Sequence, residues 1–225
     1  MRVLLIHTAG SEGSVALADT EAAGLLVATE VLPGRTSSER LLPAVRRLLE
    51  GIGWRLGELA AVVVVDGPGS FTGVRVGLSA AKGLSEASGV GLIAVSRLAL
   101  LAASVDGGGG AVHAVLDAGR GEFYYGEYVG RRCLREVLMG GKEVAAAVSA
   151  GGVVVACEAK VAEGLGGLGV GVRMVDEPSA GDALPLALER MATGDFDDAA
   201  TSDANYLRRT DAEIFAKAAT QRDAG

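Results

Sequence analysis

His7 and His113 are the only two histidines of the chain, and they stand too far apart to form an H-x-x-x-H metal pair. No His, Cys, Asp or Glu cluster has zinc-like spacing, so neither a metal nor a cofactor is expected. A lone imidazole such as His7, just after a short apolar run, more often fills a structural role than a ligand role. Ser37 and Ser38 lack a recognisable His/Asp relay, which removes support for a serine hydrolase. Asp117 and Glu122 frame the turn Ala118-Gly119-Arg120-Gly121. Paired carboxylates can exchange protons, but at a tight turn they are expected to hold backbone N–H groups and Arg120.

The most informative segment is Asp66-Gly67-Pro68-Gly69-Ser70-Phe71-Thr72-Gly73, between an apolar run at 61–65 and a helical pattern reaching about Ser88. Glycine loops in this position often hold phosphates, because free helix N–H groups point there. A Walker A loop is excluded, since no lysine follows the second glycine. A dinucleotide fingerprint would need an acidic residue near 95, where the chain has Val95 and Ser96. The bland alternative is a tight turn with close helix packing, and Gly77 and Gly83 fit it. Phe71 among small polar residues at a helix start instead suggests a surface that meets another molecule.

The elements that would position these residues follow from periodicity. Strands are expected at 2–6, 14–17 and 25–32, then a helix at 38–52 with Ser37 or Ser38 as its cap and Gly53 as its end. Its apolar arc contains Leu41, Leu42, Val45, Leu48, Leu49 and Ile52. The buried strand 61–65, a helix to about Ser88, a strand at 91–95 and a helix at 97–104 complete a first half. Asp106 to Gly110 is a glycine-rich hinge. The second half restarts with strands at 112–116 and 122–129, where Tyr124 and Tyr128 share one face and Tyr125 the other. A helix at 181–192 and a tail helix from Asp211 close the chain. Two successive β-β-β-α-β-α-like halves imply a duplicated α/β architecture.

On the helix after the loop, Arg75, Ser79, Lys82 and Glu86 form one narrow polar stripe, and the remainder is small or apolar. Such a helix buries two faces. Either helix 38–52 packs against it, or the two together dock another protein.

The 225 residues include 49% hydrophobic and 22% charged side chains, ordinary proportions for a folded protein. A net charge of −7 disfavours direct binding to nucleic acid. Cys133 and Cys157 form no CxxC pair and are expected as reduced thiols. No stretch approaches a membrane span, and a cytoplasmic protein is expected.

DGPGSFTGVRVG at 66–77 followed by AAKGL at 80–84 is very similar to the signature of the TsaB (YeaZ) family. The resemblance continues through Arg40-Leu41-Leu42-Pro43, Val95-Ser96, DAGRGEFYYGEY at 117–128 and Tyr206-Leu207-Arg208. It departs where the family usually has Asp (here His7), His (Ser37), Arg (Gly119) and Pro (Ala204).

The resemblance implies an α/β ASKHA fold, the duplicated architecture of actin, Hsp70 and sugar kinases. A first lobe at 1–106 would carry the docking helices, and a smaller second lobe at 107–225 the tail helix. It further implies a non-catalytic subunit that pairs with a TsaD-like enzyme and is joined by a TsaE-like ATPase. That complex forms N6-threonylcarbamoyladenosine at position 37 of tRNA, which this chain meets only through its partner. A homodimer in the partner's absence stays open. The implied partner interface comprises Leu42, Val45, Leu49, Phe71, Val74, Gly77, Leu78, Ala80, Ala81 and Leu84. His7, Thr8, Gly67, Gly69, Ser70, Thr72, Gly73 and Arg75 mark a degenerate nucleotide cleft or signature loop. In ASKHA kinases the first strand delivers a magnesium-organising Asp, and imidazole is a poor replacement. The competing reading, a free-standing ASKHA kinase or phosphohydrolase, is disfavoured on that ground.

Overall fold

The computed structural model describes residues 1–22 and 25–207. The expected tail helix from Asp211, and Arg208 of the closing motif, lie outside them.

Two five-stranded sheets carry the fold. The first is built from β1 (Arg2–His7), β2 (Gly13–Asp19), β3 (Leu26–Leu32), β4 (Ala61–Gly67) and β5 (Gly91–Ser96), in the order β3-β2-β1-β4-β5. The second is built from β6 (Ala111–Gly119), β7 (Glu122–Val129), β8 (Arg132–Gly140), β9 (Val153–Ala156) and β10 (Arg173–Met174), in the order β8-β7-β6-β9-β10. In each sheet the central strand pairs antiparallel with the next strand in sequence and parallel with the fourth. The expected duplication is therefore present as matching topology.

Helices α1 (Ser37–Ile52), α2 (Phe71–Ser88) and α3 (Arg97–Ala103) belong to the first half. Helices α4 (Gly141–Val148), α5 (Ala159–Gly166) and α6 (Leu184–Ala192) belong to the second. Nearly every residue of β1 and β4 is buried, so the first sheet is covered on both faces. Helix α1 ends at Gly53 in the left-handed conformation (φ 70°), as expected. Its start differs from expectation. Thr36 takes the N-cap position and Ser37 is the first helical residue, and the Thr36 side chain makes no capping bond, its hydroxyl donating to the Pro33 carbonyl at 2.7 Å.

The two halves exchange helices. Leu98, Leu101 and Ala102 of α3 pack with Val112, Ala114, Leu116 and Tyr128 of the second sheet. In return, Ala180, Ala183, Leu184, Leu186, Ala187 and Ala204 join the core of the first sheet. A cut at 106/107 therefore separates the strands of the two sheets but not their packing units. Tyr128 and Tyr124 pack on the α3 side of β7, and Tyr125 packs opposite with Val144, Val161 and Leu165. That is the expected alternation.

Candidate functional site

The turn after β1 and the loop after β4 are welded together. The Thr8 hydroxyl donates to the Gly73 carbonyl at 2.6 Å, and the Ser70 N–H donates to the Ala9 carbonyl at 2.8 Å. Ser70 also caps α2, its hydroxyl accepting from the Gly73 N–H at 3.2 Å. This fit requires bare backbone. A Cβ on Gly73 would lie 1.9 Å from the Thr8 carbonyl oxygen, and one on Gly77 2.3 Å from the Thr8 hydroxyl.

The seam opens into a cleft of about 480 Å³ where the N-terminal ends of α1 and α2 converge. Thr8, Gly10, Ser11, Ser37, Ser38, Ser70, Thr72 and Gly73 line it, with Phe71 and Val76 as its apolar side. Gly67, Gly69 and Arg75 are not among the lining residues. Gly67 and Gly69 shape the turn instead, where a Cβ on Gly69 would meet the Ala9 carbonyl at 2.1 Å.

His7 is also outside the cleft lining and 1% exposed. Burial, reinforced by the Arg97 charge, lowers its pKa from 6.5 to about 4, so it is a neutral ring at pH 7. Its Nδ1 accepts from the Ala9 N–H at 3.2 Å, and its buried Nε2 has no hydrogen-bond partner among the described residues. His113 is buried as well, bonded through Nδ1 to the Tyr125 hydroxyl at 2.7 Å and through Nε2 to the Gly151 carbonyl at 3.0 Å. Asp117 Oδ1 accepts from the Gly119 N–H at 2.8 Å, the turn-holding role expected of it.

The expected partner interface divides in two. Val45, Leu49, Val74, Gly77, Leu78 and Ala81 are buried in the chain's own fold, because α1 and α2 pack on each other and α2 packs on β4. They contribute no free surface. Ala80 and Leu84 are half-buried, while Leu42 and Phe71 are 53% and 55% exposed. The Phe71 ring lies under the Arg75 guanidinium, 3.7 Å from carbon to centroid, and 6.1 Å from the Tyr206 ring. Arg75 Nε in turn donates to the Tyr206 hydroxyl at 2.6 Å. Lys82 reaches the Ser202 carbonyl at 2.9 Å. The polar stripe of α2 is thus partly covered by residues 202–207, not turned wholly to water.

A second cluster has no local signal in the sequence. Arg97, at the start of α3, is buried and pairs with Glu158 at 3.2 Å and Glu177 at 2.8 Å. Glu177 also accepts from the Ser11 N–H at 2.8 Å and from the Ser11 hydroxyl. Glu158 accepts from the Asp117 N–H at 2.6 Å. These residues lie far apart in the chain and meet only through the helix exchange. Ser96, part of the Val95-Ser96 pair in the family resemblance, caps α3 just before Arg97.

The profile of the family described as "TsaD: tRNA N6-adenosine threonylcarbamoyltransferase" matches residues 31–150. The Escherichia coli K12 protein named "tRNA threonylcarbamoyladenosine biosynthesis protein TsaB" is 39% identical over 130 residues, 57% of this chain and 55% of that protein. Its Bacillus subtilis 168 namesake is 39% identical over 94 residues, 42% of this chain and 41% of that protein. The chain belongs to the TsaB (YeaZ) family. The match spans about half the length of those curated TsaB relatives. YeaZ from Pseudomonas aeruginosa superposes with a TM-score of 0.74 at 27% identity, covering 91% of this chain and all of that one. With the two matching sheets, this makes the architecture that of the ASKHA proteins, as the TsaB resemblance implied. No helix among the described residues is long and apolar enough to cross a membrane.

Proposed function

We propose that this chain is a non-catalytic subunit that supports a TsaD-like enzyme in forming N6-threonylcarbamoyladenosine at position 37 of tRNA. A TsaE-like ATPase would join the pair in the cytoplasm, and tRNA would be met only through the complex, in keeping with a net charge of −7. The observation that carries the reading is Phe71. The TsaB signature places a large apolar ring at the rim of the α1/α2 cleft, more than half exposed and fixed by Arg75 and Tyr206. A ring held rigid in water is suited to burial against a partner, because little conformational freedom remains to be lost. Leu42 on α1 extends the same helix pair, with half-buried Val76, Ala80 and Leu84 on α2.

A non-catalytic role is supported by His7. It ends β1 where ASKHA kinases carry their magnesium-organising Asp, and it is a buried neutral ring. The test is co-elution with the TsaD-like protein of the same organism. Wild type should elute as a heterodimer, and Phe71→Asp should elute alone while melting as wild type does. A Phe71→Asp variant that folds and still co-elutes would place the docking surface elsewhere. A homodimer, the competing occupant of this surface, is read in the same experiment from the wild-type chain without its partner.

A further inference from the structure

Residues 204–207 run along the seam between the two sheets, and successive side chains turn to different neighbours. Ala204 joins the core of the first sheet, and Leu207 packs against the core that α3 forms with the second. Asn205 is held by both halves. Its N–H donates to the Asp66 carbonyl at the end of β4 at 3.0 Å, and its Nδ2 donates to Glu136 Oε2 on β8 at 2.6 Å. The other oxygen of Glu136 accepts from the Tyr128 hydroxyl. Tyr128 is 2% exposed, and burial, then the Glu136 charge, raises its pKa, so it stays a proton donor. The Glu136 carboxylate is thus fixed at both oxygens, and a charged acceptor makes each of those bonds stronger than a neutral pair would be.

Tyr206 reaches outward from the residue so held. Its hydroxyl accepts from Arg75 Nε at 2.6 Å, and the Arg75 guanidinium lies over the Phe71 ring. One series of contacts therefore runs Tyr128, Glu136, Asn205, Tyr206, Arg75, Phe71, from inside the second sheet to the rim of the α1/α2 cleft. Without Tyr206 at its end, the long Arg75 side chain would regain its rotamer freedom and the ring its own.

We propose that Asn205 and Glu136 are positioning residues through which the second sheet presets the Phe71 rim. The inference rests on the reading of that rim as the partner-binding surface. It gives the second half a part in partner affinity through preorganisation, without any contact between Glu136 and the partner.

The test exchanges donor and acceptor. Asn205→Asp alone sets two carboxylates against each other and should break the tie. Adding Glu136→Gln restores one donor and one acceptor, because the new amide can donate across the seam and still accept from Tyr128. Two merely structural lesions would add, whereas a lost bond is repaired. The partner-free readout is the Arg75 Nε–H resonance in NMR of the full chain, set by the Phe71 ring and the bond to Tyr206. It should move in Asn205→Asp and return in the double variant. Calorimetry with the TsaD-like protein gives the second readout. Asn205→Asp should weaken binding at least about tenfold, and the double variant should recover to within about threefold of wild type. An unmoved Arg75 resonance in a folded Asn205→Asp, or a double variant no better than the single, overturns the proposal. So does a moved resonance with undiminished affinity. A wild type that does not bind the TsaD-like protein, while the resonance behaves as expected, would overturn the partner reading and uphold the second sheet's hold on the rim. Should Asn205→Asp fail to fold, Asn205→Ala, which removes the donor without adding charge, must move the resonance and weaken binding in the same way.

Discussion

Thr8 and Gly73 lock the first sheet to its longest helix: the threonine hydroxyl donates to the glycine carbonyl at 2.6 Å, across backbones too close to admit a Cβ. Gly73→Ala must push α2 off the turn after β1, an overpacking that costs about 1–3 kcal/mol or more. Thr8→Val leaves the Gly73 carbonyl short of a donor and should cost about 1–2 kcal/mol. Urea unfolding measures both. A Gly73→Ala protein within about 0.5 kcal/mol of wild type would mean that this seam is not tight.

Asp66, at the end of β4, should make stability depend on pH. Its Oδ1 is buried without a partner among the described residues, and burial, then the charges of Glu136 and Asp197, raise its pKa to about 7. The unfolded carboxyl ionises near 4 while the folded one resists. Stability is therefore lost as pH rises from about 4 to about 7, by at most about 4 kcal/mol. Asp66→Asn removes that loss, so it should be relatively more stable at pH 8 than at pH 4, as measured by denaturant titration. An equal effect at both values would contradict the raised pKa.

His7 acts in the opposite sense. Its folded pKa near 4 lies below the unfolded 6.5, so stability is lost as pH falls through that window, by roughly 3 kcal/mol. In wild type the trends of His7 and Asp66 oppose each other there. Asp66→Asn should unmask the histidine, and its melting temperature should fall more steeply below pH 6.5 than that of wild type. An Asp66→Asn melting temperature that stays flat as pH falls from 6.5 to about 4 would contradict the lowered His7 pKa.

Neighbouring alanines of α2 should behave differently. Ala81 is 0% exposed, and Ala81→Arg would bury an unpaired charge at a cost of several kcal/mol. Ala80 is half-buried, so Ala80→Arg should fold and lose the partner. Melting by circular dichroism followed by co-elution separates the two. Two variants that both unfold would mean that α2 offers no free edge beside Ala80.

The strands and helices of the first half, β6, β7, α6 and the welded glycine loop were legible in the sequence because each rests on local signals of period, caps and turn residues, whereas β8 to β10, α4 and α5 were not placed individually. An amphipathic stripe states that a face is buried, not against what. Val74, Leu78 and Ala81 therefore read equally well as an interface and as core, and the structure puts them in the core. The same ambiguity hid the helix exchange, in which α3 and α6 cover each other's sheets. What the polar stripe of α2 meets was hidden for a related reason. Arg75 and Lys82 are polar, but the partners they meet, Tyr206 and Ser202, return from more than a hundred residues away. Arg97, Glu158 and Glu177 were invisible because isolated charges carry no spacing signal until a fold brings them together.

The proposed role, enabling tRNA threonylcarbamoylation by holding a TsaD-like enzyme at the Phe71 rim, is open to a direct test. The direct measurement is the nucleoside content of tRNA from cells depleted of the chain and resupplied with wild type or Phe71→Asp. N6-threonylcarbamoyladenosine should fall on depletion, return with wild type and stay absent with a folded Phe71→Asp. Undiminished modified nucleoside in depleted cells, or full rescue by Phe71→Asp, would contradict the account.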